Sequence, residues 1–143
     1  MIHVANMRLC IELVYQKIII YDISTERTYM FEIGYYTDSS GCRPVEKFID
    51  SLGVKMKAKL FGRLELLEEH GSQLGMPYSR YLEDGIFELR IVQGSDIIRA
   101  MYFFVVGDRV ILTHGFVKKT QRTPRSEIDR AKSLREDWGK RNE

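Results

Sequence analysis

What this sequence lacks narrows its function first. It contains no HExxH, no HxxxH, no carboxylate pair at metal spacing and no Cys/His cluster, so it offers no ready ligand set for a metal nuclease. GxxxxGK[ST] is absent, which removes the phosphate-cradling loop of nucleotide-binding proteins. Without Gly-x-Ser-x-Gly there is no serine-hydrolase elbow. Cysteine is scarce. Cys10 and Cys42 stand in no CxxC spacing and read as reduced thiols, or at most one pair. No apolar run approaches the ~18–20 residues of a membrane helix. The N-terminal LCIELVYQKIIIYDI is broken by Glu12, Gln16 and Lys17 and lacks a small-residue cleavage pattern, so it reads as non-targeting. A cytoplasmic protein with no membrane contact is the expectation.

What is present fits one domain. A chain of 143 residues buries roughly two-thirds of its unfolded surface and needs no disulfide or metal staple. The net charge of +2 conceals an uneven distribution. From Lys118 to Arg141 there are nine basic residues: Lys118, Lys119, Arg122, Arg125, Arg130, Lys132, Arg135, Lys140 and Arg141. Only Glu127, Asp129, Glu136 and Asp137 stand against them. Such a tail suits a polyanionic partner, or is simply a solvated basic helix.

The three prolines are rare enough to act as landmarks. Pro44 opens a short helix, PVEKFIDSL, that ends at Gly53. Pro77 lies in a loop with Gly75. Pro124 opens the last helix, with Thr123 as the expected N-cap and Ile128, Ala131, Leu134 and Trp138 as its docking stripe. Between the first two, VKMKAKLFGRLELLEEH reads as a helix capped by Gly71. Met56, Leu60, Leu64 and Leu67 form its core stripe, and Lys55, Lys59 and Arg63 a basic one that is either solvent dressing or an RNA-binding surface. TYMFEIGYY reads as a strand, and IELVYQKIIIYDIS before it as a further one. IFELRIVQ, DIIRAMYFFVV and RVILTHGF form an antiparallel meander with turns at Gly94-Ser95 and Gly107-Asp108. The fold class is α+β, helices packed on one face of a twisted antiparallel sheet.

Treating both turns as two-residue loops fixes the registers. Gln93 then pairs with Asp96 and Arg90 faces Arg99; Val106 pairs with Arg109, which sets His114 opposite Met101 and Phe116 opposite Arg99. Because side chains alternate, Arg90, Arg99, His114, Phe116 and Lys118 share one open face. Phe87, Leu89, Ile91, Ile98, Ala100, Phe104 and Ile111 share the other, the surface for helices to cover. Like charges directly opposite are destabilising, so Arg90 and Arg99 call for a shared anion, unless each finds its own carboxylate, such as Glu88 or Asp84. Guanidinium forks match phosphate oxygens, Phe116 offers a stacking surface for a base, and histidine titrates near neutrality. RNA carries its own 2′-hydroxyl nucleophile. Its cleavage needs only a base, cations on the phosphorane and an acid for the leaving oxygen.

LGMPYSRYLEDGIFELRI, followed by IIRAMYFFVVGDRVILTHGFVKKTQRTPRSEIDRA, resembles the phage-derived, HigB-like branch of the RelE toxin superfamily, and FEIGYYTDSSGCRPVEKFIDSL extends the likeness over about residues 30–138. The resemblance implies the toxin of a type II toxin–antitoxin system: a ribosome-dependent, metal-independent mRNA endoribonuclease without cofactor. Its implied partners are mRNA on the ribosome and a cognate helix-turn-helix antitoxin, with DNA reached only through the antitoxin. Carried over by position, Arg90, Arg99, His114 and Lys118 would be catalytic. The arginines would hold the scissile phosphate, His114 would be acid or base, and Lys118 and Lys119 would add charge. Phe116, Lys119, Arg122 and the stripe Lys55, Lys59 and Arg63 would bind RNA. Residues 1–29 precede the part resembling the family (30–143) and would be an added strand or the product of a mis-assigned start, with Met30 the initiator. Two other classes stay open: a non-catalytic RNA- or antitoxin-binding co-repressor, and a phage structural protein. Keeping all four charged positions argues against a degenerate toxin.

Overall fold

The computed structural model describes residues 30–142. The strand expected before them, Cys10 and the question of the start codon lie outside the described residues. Element order is β1 (Glu32–Tyr35), α1 (Pro44–Asp50), α2 (Val54–His70), a 3-10 turn (Gly71–Gln73), β2 (Ser79–Glu83), β3 (Ile86–Gln93), β4 (Asp96–Val105), β5 (Arg109–Val117) and α3 (Arg125–Arg141). The strands form one sheet in the order β1-β5-β4-β3-β2. The class is α+β, as the pattern of elements predicts. No helix among the described residues is long and apolar enough to cross a membrane.

Two features depart from helices on one face of a wholly antiparallel sheet. First, β1 runs parallel to β5, from Glu32 beside Arg109 to Tyr35 beside Leu112. The two helices between β1 and the meander return the chain to the far edge, and a parallel partner needs such a long crossover. Second, helices cover both faces. α1 and α2 bury Val45, Ile49, Met56, Leu60, Leu64 and Leu67 against Leu89, Ile91, Ile98, Ala100, Tyr102, Val110 and Leu112. α3 lies on the opposite face, where Ile128, Ala131, Leu134 and Trp138 meet Ile86, Met101, Phe103, Ile111 and Phe116.

The registers carry the site. Gln93 pairs with Asp96 and Arg90 with Arg99 across the Gly94-Ser95 turn, as expected. The β4–β5 loop is one residue longer than expected, because Val105, not Val106, pairs with Arg109. The ladder then shifts at the Met101–Tyr102 step, where Tyr102 pairs with Leu112 and Met101 with His114, so Thr113 is the extra residue of a bulge. The two offsets cancel: His114 still faces Met101, and Phe116 still faces Arg99. Only the stretch before the bulge changes sides, which puts Ile111 in the α3 core and not with Leu89.

Two glycines are set by close approach. A Cβ on Gly115 would lie 2.2 Å from the Phe48 ring of α1, so the glycine of HGF lets that ring lie on the β5 backbone. Gly71 ends α2 at φ 54, and a Cβ there would meet the Phe31 ring at 2.0 Å. The Phe31 N–H donates to Glu68 O at 2.8 Å, which ties the start of β1 to the end of α2.

Candidate functional site

Two rows of side chains cross the α3-facing side of the sheet. One runs Arg80, Glu88, Met101, His114 from β2 to β5; the next holds Arg90, Arg99 and Phe116. Lys118 follows Phe116 by two residues, and its N–H donates to Ile97 O at 2.8 Å, continuing the ladder past β5.

Glu88 is 0% exposed and sits among cations. Its Oε2 is 3.5 Å from Arg99 Nε and 3.7 Å from Arg80 Nε, and its Oε1 accepts a hydrogen bond from the Thr123 hydroxyl. Arg99, 2% exposed, also donates from Nη1 to Ile98 O at 2.9 Å. Burial draws its guanidinium pKa below the usual value, with Glu88 opposing that shift and Arg90 and Arg80 adding to it. The carboxylate partner considered for the facing arginines therefore exists, but for Arg99 only. Arg90 pairs with no carboxylate among the described residues; its Nη1 lies 3.1 Å from Met76 Sδ. Lys118 is half-buried, and burial together with Arg99, Arg90 and Arg80 lowers its ammonium pKa. Arg80, Arg90, Arg99 and Lys118 thus form one basic cluster around a single buried carboxylate.

His114 lies inside this face rather than on it. It is 1% exposed, with Nδ1 3.1 Å from the Thr113 hydroxyl and Nε2 3.4 Å from Glu127 Oε1 without a hydrogen bond. Burial, with a smaller push from Arg130, lowers its pKa to about 3, so the ring is neutral at physiological pH. Phe116 is buried in the α3 core, its ring 6.2 Å from that of His114. The helix that buries both could not be located from local pattern, which is why this face reads as open in the sequence.

The remaining expected residues divide. Lys119 and Arg122 are exposed on the connection from β5 to α3. Arg122 lines an open groove of about 780 Å3 with Arg80, Glu83, Thr123 and Arg125, beside the cluster. Lys55 and Lys59 are exposed on α2, in the layer behind the sheet, and Arg63 stacks its guanidinium 4.8 Å from the centre of the Tyr78 ring. Arg63 thus meets the segment whose Tyr78 carbonyl accepts the Arg90 N–H at 2.7 Å, while Lys59 and Lys55 stand about one and two turns further along the helix. Much of the basic tail is engaged within the chain. Arg125 and Lys132 both bind Glu83, lowering its pKa to about 2, and Arg135 meets Asp84 at 3.0 Å.

Arg80 and Thr123 are the site members that the sequence does not place there, whereas Glu88 is the carboxylate it offers the facing arginines. Thr123 is not the N-cap, since its hydroxyl goes to Glu88 and Pro124 precedes the first turn. Arg80 sits on β2, a strand that follows the Gly75–Pro77 loop and is absent from the strands expected above. Asp84-Gly85, both at positive φ (50° and 77°), joins β2 to β3. An Asp-Gly ahead of IFELRIVQ is the hairpin signal that reveals the missing strand.

The family model described as Phage derived protein Gp49-like (DUF891) matches residues 47–136, from α1 through most of α3 and across the whole cluster. The chain belongs to this family. No curated protein matches it. Gp49-like proteins are associated with toxin–antitoxin systems, and in this Gp49-like chain the matched region contains Arg80, Arg90, Arg99 and Lys118 together with Glu88 and Thr123.

Proposed function

We propose that this Gp49-like chain is the toxin of a type II toxin–antitoxin system, of the RelE/HigB kind, and that it cleaves mRNA on the ribosome without a metal. The observation that carries this reading is the cluster of Arg80, Arg90, Arg99 and Lys118 at one end of a sheet face, with Arg90 and Lys118 unpaired by any carboxylate among the described residues. Directly facing arginines favour a ligand that both can bind, and a phosphodiester presents oxygens suited to two guanidinium forks. In this reading Arg90 and Arg99 hold the scissile phosphate and stabilise the charge that develops on it. Lys118, half-buried and with its pKa lowered by burial and by the neighbouring arginines, is the group suited to moving a proton at the 2′-hydroxyl or the leaving oxygen. His114, buried and neutral, positions β5 by packing and takes no proton from substrate.

The burial of His114 also favours a second reading, a non-catalytic RNA- or antitoxin-binding co-repressor. Controlled expression in a bacterium, with and without the adjacent gene, separates the two. The toxin reading expects growth arrest and mRNA cleavage, both abolished by Arg90→Ala and Lys118→Ala and relieved by the neighbouring helix-turn-helix protein. Arrest that survives both substitutions would remove these residues from the site. Binding without cleavage would favour the co-repressor.

A further inference from the structure

Glu88 is placed oddly for a structural counter-ion. Its Oε2 stands 3.5 Å from Arg99 Nε and 3.7 Å from Arg80 Nε, yet Oε2 and Arg99 Nε both lack a hydrogen-bond partner. The other oxygen, Oε1, is held by Thr123 at the end of the loop that leads into α3. The charge of the buried Arg99 is thus neutralised while its Nε–H remains unsatisfied. A buried cation with no neighbouring anion would be costly, and one fully hydrogen-bonded to a carboxylate would be unavailable to a ligand.

We propose that Glu88 is a positioning residue that stands in for the substrate phosphate, holding Arg99 and Arg80 in place and yielding their N–H groups when a phosphodiester arrives. Thr123 tethers one carboxylate oxygen so that only the other competes. This role rests on reading the basic cluster as a phosphodiester site. It gives Glu88 two opposed effects: its charge weakens anion binding, and its placement of Arg99 speeds the reaction.

Substitution separates these effects. Glu88→Gln keeps the shape and an acceptor for Thr123 but removes the charge. Inorganic phosphate titrated into the full-length chain at fixed ionic strength, followed by NMR shifts, should bind Glu88→Gln about fivefold more tightly. The saturating rate of mRNA cleavage on ribosomes should fall about tenfold as Arg99 loses its fixed orientation. Thr123→Val leaves the charge and frees the second oxygen to compete, so phosphate should bind about threefold more weakly.

A wild-type chain that binds no phosphate, or an Arg90→Ala chain that binds it equally well, would overturn the phosphodiester reading itself. If wild type binds and Arg90→Ala does not, a folded Glu88→Gln with unchanged or weaker affinity overturns the role of Glu88 alone. If Glu88→Gln does not fold, Thr123→Val decides, and unchanged or tighter phosphate binding overturns the inference.

Discussion

The two sides of β4 make a controlled comparison within one strand. On one side Ile98, Ala100, Tyr102 and Phe104 meet the α1 and α2 layer with no charge among them, and the one polar group, the Tyr102 hydroxyl, is bonded to Ser79. On the other, Phe103 and Met101 are apolar under α3, and the next position is Arg99. The difference follows from where the covering helix begins. α3 starts at Arg125, so its first turn lies over His114, which Glu127 approaches to 3.4 Å, and the loop before it reaches Glu88 through Thr123. Beyond that point no helix among the described residues covers Arg90 and Lys118. A face covered along its whole length can be free of charge; a face whose cover ends can hold charge at its margin, and here that margin is basic.

The comparison can be broken from either side, and the face under α1 and α2 should show the larger stability effect. Leu89→Ala, in the α1/α2 core, should destabilise the chain by about 3–4 kcal/mol in urea unfolding, while the refolded variant binds phosphate as wild type does. Arg99→Ala should cost about 2–3 kcal/mol, because Glu88 would be left buried with only Arg80 and Thr123 to satisfy it. It should also abolish phosphate binding, so stability and affinity fall together on this face alone.

His114 sharpens the contrast through pH. Its folded pKa of about 3 lies below its ordinary value of 6.5. As pH falls through 6.5 the unfolded chain takes up a proton that the folded chain refuses. The stability is therefore intact above 6.5 and is lost progressively down to about 3. Wild type should lose about 2 kcal/mol more than His114→Gln between pH 7 and pH 5, measured by unfolding at each pH. Equal slopes would mean that the ring is protonated in the folded state. The smallest effect belongs to the exposed pairs of α3. Arg125→Ala should lower the melting temperature slightly at low salt and not at high salt, since Glu83 keeps Lys132 and solvent screens what remains.

The strength of the local signals decided what could be read from sequence. IFELRIVQ and the α2 run have both a clear period and flanking turn residues, and both elements match the structure residue for residue. The facing of Arg90 and Arg99 follows from a turn whose glycine has φ 62. The placement of His114 and Phe116 is right through two compensating departures, a longer loop and a bulge at Thr113, neither marked by residue type. β2 escaped because SRYLE is a polar edge strand with an irregular register between Tyr81 and Glu83. The burial of His114 and the bond from Thr123 to Glu88 depend on where α3 docks. Its stripe shows that it docks, not on which side of the sheet.

The tie between Phe31 and the end of α2 has a practical consequence for handling the protein. β1 enters at the sheet edge opposite β2, and the Glu32 N–H donates to Asp108 O, beside the β4–β5 loop. Lys118 lies nine residues along β5 from Arg109, roughly 30 Å away at strand spacing. A fluorophore, affinity handle or surface linker attached ahead of Phe31 joins the domain at the far edge and far end from the arginines. A linker joined there leaves the basic margin facing away from it, whereas a handle on the β2 side would stand beside that margin.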